Sequence, residues 1–540
     1  METFSGSGVS GGAVIGKIFA FGKEEGAPEK KVVADADGEF KRLQAALALA
    51  QEELERLYQD AVVQVGEENA RIFEIHQMML EDLDYLESIE RLIKKEKLTA
   101  EYSVFVTAEF FSGTFAEMDD EYMKARSIDV LDVSKRVIRK LTGTSEKCLE
   151  SADAVIILAD DLTPSETIHL DPSKVLAFVT RKGSSNSHTA ILARSLNIPA
   201  IVNVNFSPES LDVFDGREAA VDAVSGMFYV DPDEQTMQSI AAFIKQRNLD
   251  RQALDALKGK DNITTDGRTI RIFANIGGRE DVESVLENDA GGIGLFRSEF
   301  FYLGRQEAPS EEEQFAHFKE VIERMAGRQV IIRTLDIGAD KRVDYLGLQE
   351  EENPALGFRA IRICLHQPEI FRTQLRAIYR ASVFGNVGVM FPMITSVEEV
   401  LRIKEIVREV REELISERIP VGNPELGIMI ETPAAALISD ELAKEVDFFS
   451  VGTNDLTQYT LAIDRQNEKL SGFYNLHHRG VLMLIEMACK NAHQNGIWIG
   501  ICGELAGDLE LTKTFVDMGI DELSVSPAKV LLLRKAVRTL

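Results

Sequence analysis

The sequence is poor in cysteine and has no apolar run that approaches the length needed to cross a membrane. Its four cysteines, Cys148, Cys364, Cys489 and Cys502, match neither the spacing of a disulfide framework nor that of a metal site. This usage is typical of a reducing compartment. A bilayer-spanning helix needs roughly 20 apolar residues, and a signal peptide needs a basic segment followed by an apolar one. The sequence has neither, so we predict a cytoplasmic protein without membrane insertion.

Positive charge is also scarce. With 60 Lys and Arg against 89 Asp and Glu, the formal net charge is -29 at pH 7. A surface that binds nucleic acid needs a dense basic patch, so this acidic balance argues against nucleic acid and favours a basic protein as partner. Because 45% of the residues are hydrophobic, the chain should be globular throughout, and its length of 540 residues predicts several domains.

The first half reads as an α/β domain that is interrupted by helices. A strand-like run at 14–21 precedes a long helical region, and apolar runs at 154–158, 175–180 and 200–204 follow it. Within the helical region, apolar residues recur at spacings of three and four, as in a packed helix: Leu43, Leu47, Ala50, Leu54 and Leu57. We predict an α/β domain formed by 1–22 and 144–230, with a helical-bundle insertion at 23–143.

The second half reads as a barrel that follows a helical connector at 231–260. Between 261 and 540, eight apolar strand candidates alternate with helical stretches, which is typical of a TIM (β/α)8 barrel. The candidates are 269–275, 292–297, 329–335, 386–393, 426–431, 447–452, 497–502 and 522–525. The predicted fold class is therefore multidomain α/β with a C-terminal TIM barrel.

Polar residues stand at or just past the ends of these predicted strands. TIM barrels place their chemistry on the loops after the carboxyl ends of the strands, so we expect these side chains to surround one site. They are Asn275, Arg297, Arg333, Asp336, Glu431, Asn454, Asp455, Cys502 and Glu504.

Their chemistry suits a phosphorylated acid and a metal ion. Carboxylates such as those of Glu431 and Asp455 are typical Mg²⁺ ligands beside substrate oxygens. The guanidinium forks of Arg297, Arg333 and Arg465 match both carboxylate and phosphate. Purely structural ion pairing remains the alternative interpretation of these residues.

Cys502 lies among small residues, in Gly-Ile-Cys-Gly-Glu. Small neighbours let a ligand approach closely, so the thiol is a candidate general acid or base. Taken alone, a core cysteine is the alternative. The histidines other than His188 show no paired metal-ligand spacing, and we expect them to serve packing or the surface, with His76 as a candidate exception.

A second candidate site is the segment Arg181-Lys-Gly-Ser-Ser-Asn-Ser, which runs into a short helical pattern at His188. Free backbone N–H groups and the positive end of a helix dipole favour an anion there, and Ser187, Thr189 and Arg194 add donors. An imidazole nitrogen is also a nucleophile toward phosphorus. On this segment alone, a phosphohistidine and a simple helix-capping histidine both remain open.

Together these segments resemble Enzyme I of the sugar phosphotransferase system, the phosphoenolpyruvate-protein phosphotransferase family, in order and spacing over nearly the whole chain. Two helical segments, 72–82 and 120–130, also resemble the carrier-binding helices of that family. The other matching segments surround His188 or lie at 294–300, 332–338, 353–362, 431–433, 452–456 and 500–504.

The resemblance implies a role for each candidate residue. His188 is implied as the phosphoryl carrier, Cys502 as the proton donor to the enolate, and Glu431 and Asp455 as Mg²⁺ ligands. It further implies a phosphocarrier protein similar to HPr as partner and a homodimer formed through the barrel. The implied phosphoenolpyruvate contacts are Arg297, Arg333, Asn454, Asp455 and Arg465.

Three other functions stay open beside transfer to HPr in sugar uptake. A nitrogen-branch paralogue would phosphorylate a different carrier, but it usually has an N-terminal sensory domain that this sequence lacks. A phosphoenolpyruvate synthase or pyruvate phosphate dikinase relative would need an ATP-grasp domain, for which residues 1–150 have neither the length nor the pattern. A catalytically silent scaffold is disfavoured because every reacting residue is present.

Overall fold

The computed structural model describes residues 1–21, 27–65, 67–116, 118, 121–144, 154–163, 166–167, 170–184, 187–196, 198–338, 343–349, 351–470 and 472–540. The chain divides into two compact units, Met1–Leu249 and Asp250–Leu540. The helix Glu234–Asp255 lies at this division, within the predicted connector. The finer domain bounds given above stay predictions.

The first unit is built on an eight-stranded sheet with the order β1-β8-β7-β3-β4-β5-β6-β2. The neighbours from β3 through β6 are parallel, and the other pairs are antiparallel. The strands are β1 (Glu2–Ser5), β2 (Ser7–Ser10), β3 (Ala13–Phe21), β4 (Val155–Ala159), β5 (Val175–Thr180), β6 (Ala200–Val202), β7 (Glu218–Asp222) and β8 (Met227–Val230).

The predicted runs at 14–21, 154–158, 175–180 and 200–204 are confirmed as β3 to β6. All five residues of β4 are buried, as expected of a parallel strand that is covered on both faces. Ile156 and Leu158 enter the core on one side, and Ile157 enters the core on the other. The sequence patterns above do not predict β1, β2, β7 or β8.

The insertion is the predicted helical bundle. Its core contains Leu43, Ala50, Leu54 and Leu57 of the predicted stripe, with Leu47 partly buried at the margin. The helices are Ala36–Val65, Glu67–Glu81, Leu83–Lys94, Ala100–Ala116 and Glu121–Thr142. The other helices described in this unit are His188–Ser195, Ser210–Phe214 and the greater part of Glu234–Asp255.

The second unit is a closed barrel of eight parallel strands, which confirms the predicted fold class. Pairing of the last strand with the first closes the barrel. The first and last residues of each predicted strand differ by at most two positions from those of the observed strand. The strands are β9 (Arg271–Ile276), β10 (Ile293–Arg297), β11 (Val330–Arg333), β12 (Val387–Phe391), β13 (Glu425–Ile430), β14 (Phe448–Val451), β15 (Trp498–Ile501) and β16 (Glu522–Val525).

Helices surround the barrel and bury their apolar faces against it in one large core. None of the described helices in either unit combines the length and apolar composition that crossing a bilayer requires. The helices of the barrel unit are Val282–Glu287, Glu311–Arg324, Ile361–His366, Pro368–Ala381, Val397–Ser416, Pro433–Leu437, Ser439–Leu442, Thr453–Leu461, Arg479–Gln494, Thr512–Met518 and Val530–Thr539.

Side chains fill the barrel interior. Trp498 stacks on Phe448 with ring centroids 4.5 Å apart. Gly427 leaves room for this pair, because a Cβ atom there would lie 2.4 Å from the Phe448 ring. The same interior cluster extends toward the carboxyl ends of the strands, where it includes Leu295, Met429 and Cys502. The space above these side chains opens toward the loops that follow the strands.

Candidate active site in the barrel

The seven barrel residues to which the resemblance assigns a role line one pocket at the carboxyl ends of the strands, with a volume of about 520 Å³, and the other predicted strand-end residues, Asn275, Asp336 and Glu504, line it too. Parallel strands bring their carboxyl ends to the same edge of the barrel, which explains why residues distant in sequence meet there. The seven are Arg297, Arg333, Glu431, Asn454, Asp455, Arg465 and Cys502.

Arg333 is a firmly held cation of the pocket. It ends β11, is 8% exposed, and donates to Glu299 and pairs with Asp336 at 3.0 Å. Burial works against its charge, but the carboxylates of Glu299 and Asp336 outweigh burial and raise the pKa of Arg333. The guanidinium is therefore permanently charged and fixed in orientation.

Arg297 and Arg465 are held more loosely. Arg297 ends β10, and its guanidinium lies 4.9 Å from the ring centre of Phe300. Its Nε atom is buried and has no hydrogen-bond partner among the described residues. Arg465 pairs with Asp455 at 3.6 Å and has a side chain that is 38% exposed. Both can turn toward a bound anion.

Glu431 and Asp455 place hard oxygen atoms in the pocket. Glu431 follows β13 and accepts a hydrogen bond of 2.5 Å from the backbone N–H of Met393. Burial raises the pKa of Glu431 well above its usual value, and the carboxylates of Asp455 and Asp336 raise it further. Asp455 lies in the first turn of the helix Thr453–Leu461, and its buried Oδ1 has no hydrogen-bond partner among the described residues.

This donor set fits a divalent cation. Crowded buried carboxylates repel one another, and a hard cation such as Mg²⁺ relieves that repulsion by taking one or two of them as ligands. The unsatisfied Asp455 Oδ1 is an oxygen atom available to such an ion. The residues present are thus compatible with the predicted metal, and their assignment as its ligands is taken up below.

Asn454 is hydrogen-bonded to Glu504 in both directions. Its Nδ2 donates to Glu504 Oε1 at 3.2 Å, and its Oδ1 accepts from the Glu504 backbone N–H at 3.0 Å. The pair joins the helix Thr453–Leu461 to the loop after β15 and so sets one wall of the pocket.

Cys502 lies at the floor of the pocket, directly after β15, and is 4% exposed. Its thiol donates to the Val451 carbonyl oxygen at 3.6 Å. Burial raises the pKa of Cys502 to about 12, although the Ser450 hydroxyl and Arg333 lower it in part. The thiol therefore keeps its proton at neutral pH and has the protonation state of a general acid.

The sequence also matches known families. Residues 251–540 match the PEP-binding domain of PEP-utilising enzymes, residues 5–126 the N-terminal domain, and residues 151–226 the mobile domain. A phosphoenolpyruvate-protein phosphotransferase from Bacillus sp. (strain S) is 43% identical, with 100% of this chain and 93% of that protein covered. The protein of the same name from Bacillus subtilis (strain 168) is 40% identical, with 100% and 95% covered.

The chain belongs to the phosphoenolpyruvate-protein phosphotransferase family.

His188 lies in the part of this chain that matches the mobile domain of the family. It is the first residue of the helix His188–Ser195, as predicted, and Ser187 caps that helix by accepting from the Ala190 backbone N–H at 3.4 Å. The side chain of His188 lies outside the described part of the structure. Thr189 is fully buried, and its Oγ1 has no hydrogen-bond partner among the described residues.

His76 is fully buried in the helical insertion. Its Nε2 lies 3.4 Å from Asp129 and its Nδ1 3.9 Å from Asp132. Burial opposes ionisation of Asp129, but His76 and Arg126, which donates to it at 2.8 Å, together lower the pKa of Asp129. These residues join the two segments that resemble carrier-binding helices, so His76 has an ionic environment rather than a purely apolar one.

The sequence analysis assigned no role to Arg359, which also lines the pocket. It donates to Asp336 at 2.8 Å and lies 3.8 Å from Asp455. Despite burial, the carboxylates of Asp336 and Asp455 raise the pKa of Arg359. Arg359 lies in the segment 353–362, which resembles the family. It does not directly follow a barrel strand, so the expectation that site residues stand at strand ends did not include it.

Proposed function

We propose that the protein transfers the phosphoryl group of phosphoenolpyruvate to His188 and then to a histidine of the phosphocarrier protein HPr, releasing pyruvate. This is the first step of the sugar phosphotransferase system. The observation that carries the proposal is a single pocket in which fixed guanidinium groups, a pair of carboxylates and a protonated thiol converge.

The cations of the pocket suit the two anionic groups of phosphoenolpyruvate. We assign Arg297, Arg333 and Arg465 to the phosphate and carboxylate groups, since guanidinium groups bind both as bidentate donors. Asn454 and Asp455 complete the proposed contacts. Because Arg333 is already oriented by Glu299 and Asp336, it can stabilise charge on the transferring group without reorganisation.

Glu431 and Asp455 are the proposed ligands of a Mg²⁺ ion. When bound, this ion would neutralise charge on the phosphoryl oxygens. The residues of the chain supply the rest of the environment: the Met393 N–H holds one oxygen of Glu431, and Arg359 and Arg465 hold Asp455 from two sides.

Cys502 is the proposed acid of the reaction. As the bond from phosphorus to the enol oxygen breaks, the enolate of pyruvate forms, and its C3 atom must gain a proton. The pKa of the buried thiol, raised by burial to about 12, keeps the proton on sulfur until the basic enolate carbon takes it. Loss of that proton leaves a thiolate beside Arg333, whose positive charge favours it.

His188 is the proposed nucleophile toward phosphorus. Its place at a helix start, after the Ser187 cap, favours a phosphoryl group on the imidazole because backbone N–H groups and the helix dipole stabilise anions there. The same imidazole must reach both the barrel pocket and the carrier, so a cycle requires a rearrangement of the two units.

The helical insertion is the proposed docking site for an HPr-like carrier. Glu74, Glu81 and Asp82 are exposed on it, and they would attract a basic partner. From the sequence, Glu67 and Glu68 also belong to the proposed acidic face, and their side chains lie outside the described residues. A homodimer formed through the barrel and a cytoplasmic location also belong to the proposal.

Labelled phosphoenolpyruvate provides a direct test. Incubation with Mg²⁺ should place an acid-labile, alkali-stable label on the wild-type protein, as expected of phosphohistidine, and none on His188→Ala. Addition of HPr should then remove the label from the wild-type protein. Failure of the wild-type protein to acquire label would refute the proposal. Label on His188→Ala would show that another residue is the nucleophile.

A further inference from the structure

Below the pocket, the barrel interior contains a carboxyl group that the proposed reaction does not use. Glu522, the first residue of β16, is fully buried, and neither of its carboxyl oxygens has a hydrogen-bond partner among the described residues. The same holds for Ser450 Oγ on β14 and Trp498 Nε1 on β15. Buried polar groups are nearly always hydrogen-bonded, so three such groups on adjacent strands require an explanation.

The strand register places the Glu522 carboxyl group one layer below Cys502. Gly500 pairs with Ser450 on one side and with Glu522 on the other. A Cβ atom at Gly500 would lie 2.0 Å from Glu522 Oε2, so the carboxyl group occupies the space that this glycine leaves open. Cys502 is the next inward-facing residue of the same strand, about 6.6 Å further along at roughly 3.3 Å per residue.

Ser450 lies in the same layer as Glu522, on the other side of Gly500 and one layer below Cys502. Its hydroxyl is close enough to the Cys502 thiol that, after the larger raising effect of burial, it lowers the pKa of that thiol. It nevertheless forms no well-aligned hydrogen bond of its own among the described residues. A hydroxyl both donates and accepts, so this position suits transfer of a proton from one neighbour to another.

The surroundings of Glu522 favour its neutral form. Burial raises the pKa of Glu522 to about 8, and Arg271, its register partner on β9, lowers it only in part. Arg271 is half-buried and stacks over Trp498 at 4.1 Å. Beside the larger effect of burial, Glu522 also raises the pKa of the Cys502 thiol, which directly follows β15. At neutral pH, Glu522 is thus mainly a protonated acid.

We propose that Glu522 stores the proton that restores Cys502 after each turnover, with the Ser450 hydroxyl as relay. The inference rests on the proposed function, because it concerns the acid of that reaction. It adds a residue that touches no substrate and acts only through Cys502.

The proposed sequence of proton transfers is balanced. The Cys502 S–H bond breaks as the C3–H bond of pyruvate forms, and a thiolate remains. The Glu522 O–H bond then breaks, Ser450 accepts that proton and passes its own proton to sulfur, and a carboxylate remains at Glu522. Solvent returns a proton to this carboxylate from the amino-terminal end of the strands, past Arg271.

Comparison of the first turnover with the steady state tests this proposal. Rapid-quench measurement of pyruvate, at saturating carrier, separates the two rates. Glu522→Gln should keep the first-turnover rate within about twofold, because Cys502 starts protonated, and should lower the steady-state rate at least tenfold, as on loss of a positioned acid. Glu522→Asp, which keeps a carboxyl group, should recover part of the steady-state rate.

A matched control and a pH series sharpen the test. Ile331 is buried in the same interior, so Ile331→Val changes packing without removing an acid and should leave the ratio of the two rates unchanged. In the wild-type protein the steady-state rate should fall relative to the first turnover as pH rises through about 8, where Glu522 loses its proton. Glu522→Gln should show no such change of ratio.

Each result decides between the alternatives. Equal first-turnover and steady-state rates in Glu522→Gln would overturn the proposal, and so would a proportional fall of both, which indicates a structural role. If Glu522→Gln fails to fold, as judged by thermal unfolding, Ser450→Ala must show the same split between the two rates. Failure of the wild-type protein to consume phosphoenolpyruvate would instead refute the proposed function.

Discussion

Two clusters of ion pairs in the barrel unit differ in burial. In the pocket, Arg333 is 8% exposed and bound to Glu299 and Asp336. On the outer helix Pro368–Ala381, Arg376 bridges Glu311 and Glu417, each at 2.6 Å, and these side chains are partly exposed, by 18%, 25% and 45%. Burying charge costs free energy that pairing alone often does not recover, whereas exposed pairs cost and contribute little. The difference indicates that the buried cluster is kept for chemistry and the exposed cluster for surface packing and solubility.

The largest effect should come from the acid at the floor of the buried cluster. Cys502→Ala should lower turnover of phosphoenolpyruvate by about 10²–10⁴-fold, the usual loss for a positioned acid. Transfer of label from phosphorylated carrier to His188 should stay near the wild-type rate, since it needs only the first unit. Cys489→Ala is the matched control, because Cys489 is buried in the same unit and donates to the Met518 carbonyl, away from the pocket. Normal turnover by Cys502→Ala would show that this cysteine serves only in packing.

Removal of the central buried cation should affect both activity and stability. Arg333→Ala leaves Glu299 and Asp336 without their shared partner, and loss of one member of a buried pair typically costs about 3–5 kcal/mol. Denaturant unfolding and phosphoenolpyruvate turnover measure the two effects. Arg534→Ala provides the control: Arg534 is a buried arginine paired with Asp289, and its loss should lower stability while the folded protein keeps its activity. An active Arg333→Ala protein would contradict the assignment of this residue to substrate binding.

The carboxylates of the buried cluster should make substrate binding depend on Mg²⁺. Thermal unfolding should show that phosphoenolpyruvate stabilises the wild-type protein only with Mg²⁺ present, by about 2.7 kcal/mol at a ligand concentration of 100 Kd. Glu431→Ala should lose the metal dependence. Glu425→Ala should keep it, since Glu425 lies at the opposite end of the same strand and binds Gln329. Full protection of the wild-type protein in excess chelator would rule out the metal assignment.

The exposed acidic surface of the helical insertion should affect the rate of phosphoryl transfer to the carrier more than it affects the stability of the protein. Glu74, Glu81 and Asp82 are exposed on the helical insertion, and attraction between exposed charges is screened beyond about 8 Å at physiological ionic strength. The second-order rate of transfer to the carrier should therefore fall severalfold as salt rises from low to physiological concentration. A rate that is insensitive to salt would show that charge does not guide this encounter.

The smallest effect should come from the partly exposed ion pairs of the outer helix. Arg376→Ala should cost about 1 kcal/mol or less, as exposed pairs do, and should leave turnover unchanged. Arg408, with a 62% exposed side chain and a contact of 3.5 Å to Glu412, is the control, and its replacement by Ala should have no measurable effect. If Arg376→Ala lowers the free energy of unfolding by several kcal/mol, the two clusters do not differ in their contribution to stability.

The barrel and most of its pocket could be predicted from sequence because local patterns encode them. A run such as Val387–Phe391 is apolar and bounded by helical stretches, and both features are visible without neighbours. Polar residues directly after such runs, such as Arg297 and Glu431, must lie at one edge of a parallel barrel. The seven site residues therefore line one pocket.

Other features depend on contacts between distant segments, which a local pattern does not show. β1 and β2 are short and rich in serine and glycine, and only their pairing with β8 and β6 makes them strands. Arg359 enters the pocket from a long loop, held by Asp336. Glu522 begins a predicted strand, and nothing in the local sequence indicates that its side chain is buried inside the barrel.

The sequence by itself determined the barrel strands, the central strands β3 to β6, the helical insertion and the polar residues that follow the barrel strands, because burial and spacing act locally along the chain. The tertiary structure decided which charges meet and which are left without partners. Closure of the barrel puts Glu522 over Gly500, beneath Cys502 and away from water. The protonation state of a carboxyl group depends on its solvation and on nearby charges, and both are set only when the strands assemble.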